Sequence, residues 1–304
     1  MVKEKKRVIQ GIGIPNPGES LMKRKCHGKV VAEKAGREII DCKKCEYMHV
    51  FPMYSEEELE RFYEDTFSES TPSHLFLEKV YTVKRWIKKG TVLDIGCWKG
   101  TQLEYFMKEG WRCTGIELNR NAASISKSKG IEVHQISTRE FFKRFSRKKW
   151  DVINASYILE HISNPDVFLD KIRKNLKNDG ILIIEVPNEF NPFQLAYLKK
   201  KQLTPYWIAL PEHLNYFNKR SLQKLVKRTG WKILHGEVSF PMEMFLLMGD
   251  DYLRRKSVGR RSFRKVVEME NTLMEYDPGL LSKMYSALYK NGIGRSIILY
   301  LRNR

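Results

Sequence analysis

Between Thr91 and Val186 the chain alternates short apolar runs with stretches that repeat apolar residues at helical spacing. Thr91–Ile95, Trp111–Ile116, Ile131–His134, Asp151–Ala155 and Ile181–Val186 predict strands. The last is apolar throughout, as a strand covered on both faces should be. Helices are expected from the glycines after Ile95 to about Glu109 and from about Asn121 to Lys129. A third, opened by Asn164-Pro165 as N-cap and first helical residue, should end near Lys177, with Asn178-Asp179-Gly180 as a turn. Further on, Lys219–Arg228 predicts a helix stopped by Gly230, and Trp231–Val238 a strand. A helical stretch over Phe240–Lys290 follows, broken at Asp277-Pro278-Gly279, and Ile297–Leu301 is a final strand. This alternation predicts an α/β, doubly wound, mostly parallel sheet.

The flanks have a different rhythm. The first twenty residues, with Gly11, Gly13, Pro15, Pro17 and Gly18, predict an extended arm. Lys23 to Phe51 reads as short strands and turns around three cysteines. Ser55 and Glu58 form a capping box that opens a helix. A second helix should run from about Pro72 to Lys88 with Leu75, Val80, Val83 and Ile87 inward. Four regions result: 1–54, an arm and small module; 55–90, a helical cap; 91–240, the α/β core with an aromatic-rich insertion; 241–304, a helical insertion and last strand.

The 304 residues suffice to bury a sizeable core. No stretch is long and apolar enough to cross a membrane, and MVKEKKRVIQ has no apolar signal core, so a cytoplasmic chain is expected. A net charge of +19 admits nucleic acid, an anionic surface or an acidic substrate as partner. The bases are spread over nearly every helix, which a generally basic proteome explains equally well. Five cysteines, an odd number, argue against a disulfide framework.

The chemistry concentrates at the first βα turn, Asp94-Ile95-Gly96-Cys97-Trp98-Lys99-Gly100. Glycines there allow a sharp turn and close ligand approach, and the helix start presents unpaired N–H groups. The next strand ends in Gly115-Ile116-Glu117, where doubly wound folds place a carboxylate on ribose hydroxyls. The loop is Gly-x-x-x-Gly after an aspartate, not the Gly-x-Gly-x-x-Gly of a pyrophosphate site. A carboxylate at that point suits an ammonium.

Taken in order, VLDIGCWKG, GIELN, DVINASYILEHISNP and LKNDGILIIEVPN resemble the motifs of class I S-adenosylmethionine-dependent methyltransferases of the ubiquinone-biosynthesis-like group. The resemblance covers roughly Val92–Asn188. It implies a Rossmann-like seven-stranded sheet of order 3-2-1-4-5-7-6 with the last strand antiparallel. Asp94, Gly96, Cys97, Trp98 and Gly100 would line the methionine end of the cofactor. Glu117 would hold the ribose, Leu118 the adenine ring, and Ile136 and Ser137 the adenine amino group. Asn154 and Ala155 would lie near the sulfonium. The family usually has a small residue, often glycine, where this chain has Trp98.

For the acceptor, the segment Pro211-Glu212-His213-Leu214-Asn215-Tyr216-Phe217 is similar to a Glu-His…Tyr-Phe stretch in enzymes that methylate nucleotide-linked sugars. The similarity implies His213 as base with Glu212 as its partner, against a purely structural tie. His161 is the second candidate base, against packing beneath the cofactor. The C-terminal part resembles methyltransferases of surface-polysaccharide synthesis. A small-molecule or nucleotide- or lipid-linked sugar acceptor is therefore expected, for O-methyl or sugar C-methyl transfer by a monomer or homodimer. An RNA methyltransferase and a non-catalytic S-adenosylmethionine-binding module are the alternatives.

Cys42-Lys43-Lys44-Cys45 has zinc-knuckle spacing, and Cys26-His27 lies upstream. The pattern resembles an N-terminal zinc ribbon, but Lys23 stands where Cys26 should find its knuckle partner. Two readings stay open: zinc held by Cys26, His27, Cys42 and Cys45, or a metal-free ribbon held by apolar contacts.

Overall fold

A computed structural model describes residues 26–54, 58 and 76–304. The expected arm, most of the helix opened by Ser55 and the start of the 72–88 helix lie outside the described residues.

The core runs α1 (Phe76–Val83), β4 (Thr91–Ile95), α2 (Thr101–Lys108), β5 (Arg112–Ile116), α3 (Arg120–Ser128), β6 (Glu132–His134), α4 (Thr138–Arg144), β7 (Trp150–Ser156), α5 (Pro165–Ile172) and β8 (Leu176–Pro187). Before it come β1 (Gly28–Lys34), β2 (Arg37–Cys42) and β3 (Met48–Phe51). After it come α6 (Pro192–Lys201), β9 (Asn215–Tyr216), α7 (Lys219–Arg228), β10 (Trp231–Val238), α8 (Glu243–Leu247), α9 (Lys256–Tyr276), α10 (Pro278–Lys290) and β11 (Ser296–Asn303).

Seven strands form the main sheet in the order β10-β11-β8-β7-β4-β5-β6. This is the 3-2-1-4-5-7-6 arrangement, a Rossmann-like fold. β4 to β8 are parallel, and β11 enters antiparallel between β8 and β10. Val92, Leu93, Val152, Ile153 and Ile181 through Ile184 are wholly buried, which accounts for their unbroken apolar runs. Strand order reverses between β4 and β7, and in open α/β sheets ligands bind beyond the carboxyl ends of the strands at such a switch point. Asp94 and Asn154 stand opposite each other there in the ladder.

One local expectation is corrected. α5 ends at Ile172 and a short 3₁₀ turn carries the chain to Asn175, so residues 178–180 belong to β8. The ladder pairs Trp150 with Leu176 and then Val152 with Ile181. The extra residues on β8 form a bulge, which accommodates the glycine and polar residues that read as a turn.

The second sheet is small and antiparallel, in the order β1-β2-β3-β9. Its fourth strand comes from the far side of the sequence: Met48 pairs with Tyr216 and His49 with Asn215. Ile39, Met48, Val50, Trp207, Ile208, Leu214 and Tyr216 bury one another as a satellite core. The N-terminal strands and the aromatic insertion are therefore one packed unit.

Candidate active site

The cofactor loop is built by backbone geometry. Gly96, Trp98 and Gly100 all have positive φ, at 70°, 49° and 73°. A side chain at Gly100 would also sit 2.2 Å from Ser126 Oγ and 2.5 Å from Ile131 Cδ1, so only glycine fits against α3. Trp98 occupies the same left-handed region with a bulky side chain, an arrangement costing about 1–2 kcal/mol. The strained amide is held, since Trp98 N–H donates to Glu117 Oε2 at 2.9 Å.

Asp94 is 4% exposed and accepts from Asn154 Nδ2 at 2.6 Å. Burial pushes its carboxyl up to about 6, against the Asn154 hydrogen bond and the Lys79 cation. Glu117 is buried, and its oxygens accept from the Asn119 and Trp98 amides. Burial lifts it to about 7, against those amide hydrogen bonds. Each carboxylate oxygen has two acceptor positions, so both retain capacity for a ligand's donors. Leu118 is 37% exposed while Ile136 is buried, and Ser137 caps α4 by accepting from Glu140 N–H at 3.1 Å. Ala155 is buried in β7 beside Asn154, and Cys97 packs beneath the loop. The donor set fits S-adenosylmethionine: a buried carboxylate for an ammonium, a second for vicinal hydroxyls, and an apolar edge for a base.

A polar chain leads away from Asp94. Asn154 Oδ1 accepts from Ser156 Oγ at 3.0 Å, and Ser156 Oγ accepts from Lys79 Nζ at 2.8 Å. Lys79 Nζ also lies 2.5 Å from Glu185 Oε2. Tyr157 and Ser296 hydroxyls donate to Glu185 Oε1 at 2.9 and 2.8 Å. Burial opposes the charge on Glu185, but Lys79 and these donors hold its carboxyl below the usual range.

The acceptor-side residues gather past β7. His161 Nδ1 lies 2.7 Å from the Glu212 carbonyl, so Nδ1 carries the proton and Nε2, 3.8 Å from Glu160 Oε1, the lone pair. The His161 and His213 rings meet edge to face at 5.2 Å. Burial lowers His161 to about 3 and His213 to about 4, with Arg295 adding to the second. Both are neutral at pH 7. The expected pairing of His213 with Glu212 is corrected. The carboxylate facing His213 Nδ1 is Glu189 at 3.3 Å, while Glu212 contributes its carbonyl to His161. Glu189 and Glu160 are buried, and burial pushes both carboxyls well up. Glu189 and Lys79 carried no motif. Glu189's only local signal was its position just after the fifth core strand.

The cysteine cluster also differs from expectation. Cys26, Cys42 and Cys45 come together, but the histidine beside them is His49 of β3. His27 is exposed and outside the group, because Cys26 turns inward and its neighbour outward as the chain enters β1.

A model of the methyltransferase domain matches residues 71–236. The chain belongs to this family, the class I S-adenosylmethionine-dependent methyltransferases. It is 24% identical over 185 residues to an uncharacterised protein of Methanocaldococcus jannaschii, covering 61% of this chain and 82% of that protein. It is 31% identical over 106 residues to a ubiquinone biosynthesis O-methyltransferase of Glaesserella parasuis, 32% of this chain and 45% of the relative. A similar enzyme of Pelagibacter ubique is 28% identical over 140 residues, 44% and 58%. The chain thus spans about half the length of these O-methyltransferases. Among solved structures, a Burkholderia thailandensis 1,6-didemethyltoxoflavin-N1-methyltransferase superposes with a TM-score of 0.51 at 12% identity, covering 91% of this chain and 99% of that one. At that identity it shows the fold alone. No described helix is long and apolar enough to cross a membrane.

Proposed function

We propose that this methyltransferase acts on a hydroxyl of a small, polar, sugar-related acceptor, with His213 as the base. The carrying observation is the pair of neutral histidines, buried His161 and half-buried His213, beside Glu160 and Glu189 beyond the carboxyl end of β7. S-adenosylmethionine supplies the electrophilic methyl group. Asp94 would hold the cofactor's ammonium and Glu117 its ribose hydroxyls. His161, locked through Nδ1 by the Glu212 carbonyl, shapes the wall nearest Asn154 and Ala155. His213 would take the acceptor hydroxyl's proton as that oxygen bonds the methyl carbon and the methyl–sulfur bond breaks, S-adenosylhomocysteine being the leaving group, and Glu189 would set the ring's orientation. The low-polarity surroundings keep both rings unprotonated and able to accept a proton. The partial relatives named as O-methyltransferases support oxygen as the acceptor atom.

The test is formation of S-adenosylhomocysteine against a panel of nucleotide sugars, lipid-linked sugars, phenols and RNA. His213→Ala should lower turnover by about 10²–10⁴-fold while S-adenosylhomocysteine affinity stays within about twofold of wild type. Wild-type turnover in that variant removes His213 as base. Turnover on RNA alone removes the sugar reading.

A further inference from the structure

Cys26 precedes β1, Cys42 ends β2, Cys45 lies in the following turn and His49 is the second residue of β3. Cys26, Cys42 and His49 are 7%, 1% and 0% exposed. The cysteines are thiols, not joined in disulfides. One ligating atom from each of the four residues lies within 4.8 Å of the other three. Cys26 Sγ and Cys45 Sγ are 3.6 Å apart. Sulfurs on a tetrahedral zinc ion, at bonds of about 2.3 Å, are separated by about 3.8 Å, whereas a disulfide would bring them to about 2.05 Å.

The surroundings prepare these groups as ligands. Cys45 N–H donates to Cys42 Sγ at 3.4 Å, an interaction that favours thiolate. His49 Nδ1 lies 2.8 Å from the Val50 carbonyl. That contact places the proton on Nδ1 and the lone pair on Nε2, the tautomer of a metal-bound imidazole with its second nitrogen held by a backbone oxygen.

We infer that Cys26, Cys42, Cys45 and His49 form a closed tetrahedral zinc site, and that the ion fixes the acceptor wall of the enzyme. Four protein ligands leave no open position, so the ion is structural. Its mechanical reach follows from the pairing of β3 with β9. His49 stands opposite Asn215. The Asn215 side chain donates to the Leu159 and Ile162 carbonyls at 2.9 and 2.6 Å, clasping the Glu160-His161 turn. Leu214 N–H donates to the Glu160 carbonyl at 2.7 Å. The fourth ligand replaces the missing first-knuckle cysteine with a residue from the strand that pairs with the acceptor segment.

The test uses the full chain, purified without chelator from zinc-supplemented culture. Elemental analysis should find one zinc per chain. Cobalt exchanged into the site should give the ligand-field and sulfur-to-metal charge-transfer bands of a tetrahedral thiolate complex. His49→Cys and His27→Ala should keep the metal, and His49→Ala should lose it. Stripping the wild-type protein should speed amide exchange at 213–217, leave the 94–100 loop unchanged, and keep S-adenosylhomocysteine affinity within about twofold. Substoichiometric zinc with no cobalt spectrum overturns the site, as does a Cys26–Cys45 disulfide in the purified protein or metal loss in His27→Ala with retention in His49→Ala. Unchanged exchange at 213–217 after stripping overturns the link to the acceptor wall. Metal content and cobalt spectra do not depend on finding the acceptor, so failure of the sugar reading leaves this test intact.

Discussion

Asp94 is the residue on which cofactor affinity should turn, and its environment sets a pH signature. Its carboxyl is raised to about 6 by burial, so in the ligand-free protein it is largely neutral at pH 5 and ionised at pH 7.5. An ammonium binds the ionised form. The dissociation constant for S-adenosylhomocysteine should therefore rise close to tenfold per pH unit as pH falls below about 6, and level off above 7. Calorimetry at pH 5, 6, 7 and 8 reads this directly. Asp94→Asn should bind weakly with that dependence gone, and a wild-type profile in the variant would remove Asp94 as the ammonium partner. Asp94 was legible in the sequence because strand, glycine turn and helix are consecutive, and their chemistry follows from neighbours along the chain. Glu189 and His49 were not. Their roles belong to positions brought close only by tertiary structure, and the nearest residue in sequence, Glu212 or His27, is a poor guide to the nearest in space. Trp98 falls between: a bulky residue within a glycine turn was visible, but its left-handed φ of 49° was not.

At the scale of elements, a buried ion pair ties α1 to the sheet among the described residues. Lys79 on α1 meets Glu185 on β8 with side-chain exposures of 2% and 3%. Removing one partner of such a pair leaves an uncompensated charge and costs about 3–5 kcal/mol, whereas neutralising both costs far less. Lys79→Met should accordingly lower stability by about that amount in urea unfolding. The double variant Lys79→Met/Glu185→Gln should recover most of the loss, and an additive double variant would show that the pair is not coupled. Because Lys79 also reaches Ser156 and through it Asn154 and Asp94, the single variant should weaken cofactor binding as well. The main-sheet strands were readable from apolar runs alone, since strands covered on both faces must be apolar. β9 was not, because Asn215–Tyr216 is a two-residue strand defined by its partner β3 and by no pattern of its own.

Over the whole molecule, two sets of shielded groups give stability opposite slopes with pH. His161 and His213 are held neutral, at about 3 and about 4, below the ordinary value near 6.5. The unfolded chain binds protons there that the folded chain refuses, so their contribution is present above about 6.5 and is lost as pH falls toward 4 and 3. Asp94, Glu117 and Glu78 are raised to about 6, about 7 and about 9, burial being the largest cause in each. Their contribution is full below about 4 and is lost as pH rises through those values. Between about 4.5 and 6.5 the two slopes oppose each other. The raised carboxyls, Glu160 and Glu189 among them, outnumber the two histidines, so the ligand-free protein should have its highest melting temperature near pH 4.5, fall below it as the histidines charge unopposed, and decline above it toward pH 9. Saturating S-adenosylhomocysteine favours ionised Asp94 and should flatten the alkaline decline while leaving the acid limb in place. Replacing both histidines, His161→Asn with His213→Asn, should soften the acid limb without touching the alkaline one. Scanning calorimetry from pH 4 to 9, with and without ligand, separates these outcomes. An acid limb unchanged in the double variant would place the acid sensitivity elsewhere than in the acceptor-side histidines.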